Sequence, residues 1–226
     1  MDSHERAATR RELLRLGVTA AVAAGWAPRG LLWGWDKPLL LPTPSTVAGP
    51  FYPVVRPLEQ DADLTRLAGH SDRAKGQIIH VVGRVLSQRG EPVAEARVEL
   101  WQANTFGRYD HPSDLNPAPA DPDFQGYAVQ LTDREGRFRF TTIKPGPYPG
   151  DEGRIRTPHI HFDVTGHVDR RITQLFFAGE PLNAQDRILQ QVPRNRENLI
   201  ADLLPPPAGE ESASRLVRWD IVLPRG

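Results

Sequence analysis

From residue 77 to the C-terminus, short β-branched runs alternate with turn residues, and this punctuation constrains the fold more than any other feature of the chain. The runs read as strands at Gln77–Val85, Ala96–Ala103, Tyr127–Thr132, Arg137–Ile143, His159–Thr165, Ile172–Phe177 and Val217–Leu223. Gln88-Arg89-Gly90-Glu91-Pro92 and Asp133-Arg134-Glu135-Gly136 supply turn chemistry between neighbours. Helical character is confined to Asn183–Gln191 and Arg196–Leu203. The 22 prolines and 19 glycines are scattered, which suits short strands and long loops better than a helical bundle. The predicted fold class is all-β: a β-sandwich core over residues 77–226, with long loops and little helix. Residues 28–76, which include Trp33-Gly34-Trp35 and Gly49-Pro50-Phe51-Tyr52-Pro53, are irregular. They read as an N-terminal arm that wraps the core or a neighbouring subunit.

Residues 1–27 read as an export leader. Arg10-Arg11 precede Leu13-Leu14, and a mild apolar run from Leu16 to Ala24 follows, without acidic residues and too short to span a bilayer comfortably. Paired arginines in that position predict the twin-arginine route, which carries folded proteins, and a periplasmic destination. A short amphipathic helix docked on the domain is the plainer alternative.

Lysine plus arginine (28) balances aspartate plus glutamate (28), with an isoelectric point near 7.1. That balance argues against a nucleic-acid partner, which needs a basic face to recover the phosphate contribution. The chain has no cysteine, so disulfides, thiolate catalysis and cysteine-held metals are excluded. Any metal must be held by imidazole, carboxylate or phenolate.

Arg156-Thr157-Pro158-His159-Ile160-His161-Phe162 is the most informative stretch. Side chains alternate on a strand, so His159 and His161 point one way while Ile160, Phe162 and Val164 point into the core. Two imidazoles on one face make a natural metal pair, although such pairs also occur as surface or hydrogen-bonded histidines. Tyr109 and Tyr148 each sit beside glycine or proline on a loop leaving a strand, where a side chain can be aimed into a cavity. Taken singly, each reads better as a tyrosine capping a sandwich edge than as a ligand.

Together these segments resemble the intradiol ring-cleavage dioxygenases, and the protocatechuate 3,4-dioxygenase branch more than the catechol 1,2-type. The matching pieces are Gly49-Pro50-Phe51-Tyr52-Pro53, Asp63-Leu64-Thr65, Gly83-Arg84-Val85, Trp101–Tyr109, Asp121-Pro122-Asp123-Phe124, Thr132-Asp133, Pro145-Gly146-Pro147-Tyr148-Pro149, Arg156–Phe162 and Gln174-Leu175-Phe176-Phe177, in family order.

The resemblance implies that Tyr109, Tyr148, His159 and His161 hold one non-haem Fe(3+) ion. Phenolate, a hard anionic donor, suits Fe(III) better than Fe(II), and a trivalent cation at bonding distance removes the phenol proton at neutral pH. It further implies that a catechol-type substrate (protocatechuate, catechol or a substituted catechol) and O2 give a cis,cis-muconate. Tyr148 would leave the metal and accept a substrate proton, with Arg156 and Gln174 stabilising negative charge on the ring and oxygen. A salt bridge at the rim is the alternative role for Arg156. Tyr52 would line the substrate mouth or anchor an interface. Gly150 stands where the protocatechuate enzymes usually carry tryptophan, which predicts a more open pocket. Arg154 is a candidate for a substrate carboxylate, or else a solvated loop arginine. Pairing with a related chain, or homo-oligomerisation, also follows from the resemblance.

Two other readings compete. Gly83-Arg84-Val85 through Leu100 also resembles transthyretin-like sandwiches that bind without metal, but only over about residues 80–101. A zinc-type hydrolase would use Asp163, on the same face as the histidines, as its base.

Overall fold

The computed structural model describes residues 38–150 and 153–226. The predicted leader (1–27) and the start of the arm (28–37) lie outside the described residues.

Two sheets form the sandwich. In the first, β1 (Ile78–Ser87) pairs antiparallel with β4 (Arg137–Ile143). Along its other edge β1 runs parallel to β10 (Arg215–Arg218) and then to β11 (Ile221–Leu223). The second sheet has the order β3 (Tyr127–Leu131), β2 (Arg97–Trp101), β7 (His159–Thr165), β8 (Arg170–Phe177), β9 (Ile200–Ala201). A separate two-stranded ribbon joins β5 (Tyr148–Pro149) to β6 (Ile155–Arg156).

The pleat sorts the residues. Ile79, Val81 and Val85 of the first sheet face Val98, Leu100, Ile160, Phe162, Val164 and Leu175 of the second, all fully buried. Phe162 sits at the junction, with ring centroids 6.3 Å from Phe138, 6.5 Å from Phe140 and 5.1 Å from Trp219. Truncating such a ring to alanine typically costs about 3–5 kcal/mol. The next residues along β7, His159 and His161, consequently face away from this core.

Residues 38–76 form no extended strand and are fastened to the sandwich by backbone hydrogen bonds. Thr43 N donates to Val222 O, Thr46 N to Ile172 O and Leu64 N to Thr141 O. Between these points the arm lies on the outward face of the second sheet, the face that carries the histidines: Gln174 Nε2 donates to Val47 O, and Gly49 lies against the His161 ring.

Three elements differ from the sequence expectation. The strand predicted over Val217–Leu223 is two: Trp219 N still bonds Val82 O, but the Asp220 carboxylate then takes Arg84 N and interrupts the ladder between β10 and β11. The helix predicted over Asn183–Gln191 is a 3-10 turn (Pro181–Ala184) followed by α1 (Arg187–Gln190). Asp186 divides them: its backbone is extended and its carboxylate caps Leu189 N. The helix predicted over Arg196–Leu203 is a 3-10 turn (Arg196–Leu199) that gives way to β9, whose pairing with β8 outweighs local helix preference.

Candidate active site

Two loops are locked together to bring the tyrosines to one place. After β2, Asn104 Oδ1 accepts Phe106 N and Arg108 N, making a tight turn that ends at Tyr109. Gly107 adopts φ +81° there, and a Cβ at that position would lie 2.1 Å from Pro147 O. Reciprocally, a Cβ on Gly146 would lie 2.4 Å from Thr105 O, and Gly146 N donates to Asn104 O. Glycine on each side therefore lets the two backbones touch. Tyr109 and Tyr148 meet with ring centroids 5.2 Å apart at 89°.

The histidines reach the same spot from β7. His159 Nε2 lies 3.2 Å from His161 Nε2 and 3.3 Å from Tyr148 Oη. His159 Nδ1 donates to Thr157 O at 2.6 Å, and since a carbonyl only accepts, the free lone pair is on Nε2. Trp101, the cross-strand partner of His161, stacks on its ring at 4.9 Å and 12°. From the arm, Phe51 covers Tyr109 at 4.7 Å, and a Cβ on Gly49 would sit 3.3 Å from His161 Cε1.

All four groups are buried, and burial dominates their electrostatics. It pushes the Tyr109 phenol well above its usual range, with Tyr148 adding to the effect, and raises the Tyr148 phenol against the pull of Arg156. Burial likewise holds the His159 imidazole well below its usual range, with Arg156 contributing. His161 is depressed by burial, then by His159 and Arg156.

Arg156 joins the site to its surroundings. Nη1 donates to Tyr148 Oη at 3.3 Å, Nη2 to Gln174 Oε1 at 2.8 Å, and Nε to Asp186 Oδ2 at 2.7 Å. Gln174 Nε2 in turn donates to Val47 O of the arm.

This donor set suits one hard cation. Ligands of one metal at bond lengths of about 2.0–2.2 Å stand roughly 3 Å apart, as His159 Nε2, His161 Nε2 and Tyr148 Oη do here. The buried Tyr109 hydroxyl has only the Tyr148 hydroxyl, itself a candidate ligand, close to it, which suits it as the fourth donor. Among the described residues, no third histidine or carboxylate joins the two imidazoles. The base a zinc hydrolase would need is committed elsewhere: Asp163 is clamped by Arg170, with Nε 2.9 Å from Oδ1.

Beside Tyr148 and Arg156 opens a cavity of about 610 Å³, lined also by Phe51, Gly150, Arg154 and Ile188. Gly150 and Arg154 both border this cavity, with Arg154 exposed to solvent. Tyr52 does not: it is absent from the lining, and Phe51 takes that place. Its hydroxyl donates to the buried Glu99 at 2.8 Å, and its ring packs edge-on against Trp101 at 5.0 Å. Adjacent arm residues diverge, so only one of Phe51 and Tyr52 faces the cavity. Sequence reasoning also passed over Trp101 and Asp186. Strand pairing with β7 marks the first; an Asp three residues before a buried leucine, as a helix N-cap, marks the second.

Comparison with known proteins places these residues in a wider set. The Dioxygenase family matches residues 47–225. Over 167 residues the chain is 42% identical to the protocatechuate 3,4-dioxygenase beta chain of Burkholderia cepacia, covering 72% of this chain and 71% of that one. It is 33% identical over 183 residues to a hydroxyquinol 1,2-dioxygenase of Rhodococcus opacus, covering 74% of this chain and 56% of the relative. Among solved structures, the dioxygenase domain of a dioxygenase carbohydrate-binding protein fusion from Streptomyces sp. SirexAA-E superimposes with a TM-score of 0.62 at 27% identity. That match covers 82% of this chain and 99% of the domain.

Proposed function

We propose, from the premise that this chain belongs to the intradiol ring-cleavage dioxygenases, that it uses one ferric ion to convert a catechol-type aromatic and O2 into a cis,cis-muconate. The observation that carries this reading is the convergence of Tyr109, Tyr148, His159 and His161 in one buried cluster beside a cavity. Those four residues would hold the ion. When bound, it supplies a Lewis acid that takes up the catechol oxygens and opens the ring to O2.

The chain's own groups do the rest. Tyr148 Oη lies at the cavity side and accepts one catechol proton. Tyr148 lines that cavity, within reach of an incoming catechol. Arg156, with Nη1 at Tyr148 Oη and Nη2 at Gln174 Oε1, keeps a fixed positive charge next to oxygen atoms that become negative. Phe51 and Trp101 exclude water from the metal side. In the balanced reaction, the bond between the two hydroxyl-bearing carbons breaks and both atoms of O2 enter the product as carboxylate oxygens.

The cavity exceeds what one bare ring fills, so protocatechuate or another substituted catechol fits as well as catechol itself. Val54, Val55 and Leu115 expose apolar surface (72%, 82% and 90%), which supports association with a second copy or a related chain. The leader motif around Arg10-Arg11 supports export to the periplasm.

The test is turnover of catechol, protocatechuate and hydroxyquinol under labelled O2. The reading expects two labelled oxygens in a ring-opened diacid from at least one of them. A product with a single label, or an intact ring with all three, contradicts it.

A further inference from the structure

The buried Asp186 has no part in the proposed reaction, yet its carboxylate holds the Arg156 side chain directly. Its side chain is fully buried, and Arg156 is only 12% exposed. Oδ2 accepts Arg156 Nε at 2.7 Å and Thr157 N at 3.2 Å, and Oδ1 accepts Leu189 N at 3.0 Å. One carboxylate thus fixes the catalytic guanidinium, the backbone two residues before His159, and the first turn of α1. From α1, Arg187 and Ile188 line the cavity.

The guanidinium has three anchoring directions. Two end on Tyr148 Oη and Gln174 Oε1, and among the described residues only Asp186 supplies a carboxylate. A buried cation without a counter-ion is strongly disfavoured and would swing toward water through the open cavity. The planar fork also links its ends: with Nε held by Asp186, Nη1 and Nη2 can point only where they do.

We propose that Asp186 is a positioning residue for this dioxygenase chemistry. By fixing Arg156 Nε it sets Nη1 on Tyr148 Oη and Nη2 on Gln174. The proposal rests on the dioxygenase reading above. It differs from a purely structural cap, which would hold α1 without affecting the tyrosine that shares its oxygen with Arg156.

The experiment is a double-mutant cycle on the iron-loaded protein with Asp186→Ala, Arg156→Ala and the combination, read as kcat, KM and the visible absorption of the resting protein. Each single change is expected to lower kcat by on the order of tenfold or more, with little change in KM, and both should shift the absorption in the same sense. The combination should be no worse than Arg156→Ala alone, because Asp186 acts through that side chain. Asp186→Asn keeps one acceptor oxygen and a good helix cap, so it should fold and fall between wild type and Asp186→Ala; it completes the cycle if the alanine variant does not fold. Losses that multiply in the combination, or an Asn variant with wild-type kcat and absorption, overturn the proposal. If iron-loaded wild type neither absorbs in the visible nor consumes O2, the dioxygenase reading falls and the positioning role with it. That outcome is seen in the parent protein and not only in the variants.

Discussion

The indole of Trp101 lies parallel to the imidazole of His161, with centroids 4.9 Å apart and an interplanar angle of 12°. The two are direct cross-strand partners on β2 and β7, so sheet register sets the orientation of a metal-binding ring. Trp101→Ala should therefore cost about 3–5 kcal/mol of stability and also lower the iron bound per chain, whereas Trp101→Phe keeps a stacking ring and should lose markedly less. Denaturant titration together with metal analysis of both variants checks this. Equal iron content in all three proteins would show that the stack does not hold His161.

Tyr109 carries a buried hydroxyl whose one polar neighbour is the Tyr148 hydroxyl. In metal-free protein, Tyr109→Phe removes a buried hydroxyl that meets only the Tyr148 hydroxyl and should change stability by no more than about 1 kcal/mol. Thermal unfolding after chelation measures this. A loss of several kcal/mol would mean that the hydroxyl is satisfied in the metal-free fold and is no spare ligand.

The imidazoles give a pH dependence with a definite sign. Burial holds His159 and His161 well below the ordinary histidine range in the metal-free fold, with Arg156 adding to both and His159 adding to His161. Unfolded histidine takes its proton near pH ~6.5, so below that value the unfolded chain binds more protons than the folded one. Their contribution is complete above about pH 6.5 and declines as pH falls, by up to roughly 1.4 kcal/mol per pH unit for each ring. Unfolding midpoints of chelated protein from about pH 8 to about pH 5 should fall more steeply than those of a His159→Gln/His161→Gln variant. Parallel curves would contradict the burial argument.

Gly150, which the resemblance reads as replacing a tryptophan of the protocatechuate enzymes, has surroundings adapted to having no side chain. A Cβ there would lie 2.9 Å from Arg156 Cγ and 3.2 Å from Cδ. Gly150→Trp should accordingly displace Arg156 from Tyr148 and lower kcat about tenfold or more, and not restore a relative's pocket. Steady-state kinetics with catechol and protocatechuate decide the point. A variant with improved kcat on protocatechuate would show that the pocket can accept the ring.

The period-two alternation His159-Ile160-His161-Phe162 was legible in the sequence because each residue's face follows from its own position on one strand. The convergence of Tyr109 and Tyr148 with that strand was not legible from spacing, since it depends on Gly107 and Gly146 letting two loops touch. It was reached through resemblance alone. Which of Phe51 and Tyr52 turns to the cavity is not legible either, because alternation cannot be read in an irregular arm: the buried Glu99 accepts the Tyr52 hydroxyl, and Phe51 takes the cavity side. Asp186 was hidden for another reason. It lies 30 positions from the arginine it holds, inside a stretch whose apolar spacing suggested an unbroken helix.

The most direct test of the central claim is the visible absorption spectrum of purified protein carrying one equivalent of iron, recorded beside Tyr109→Phe. Two phenolates on a ferric ion predict a red-brown protein whose absorption weakens or shifts strongly in the variant. A folded, iron-loaded wild type without colour, or a variant with an identical spectrum, would contradict the assignment of Tyr109 and its neighbours as a ferric site.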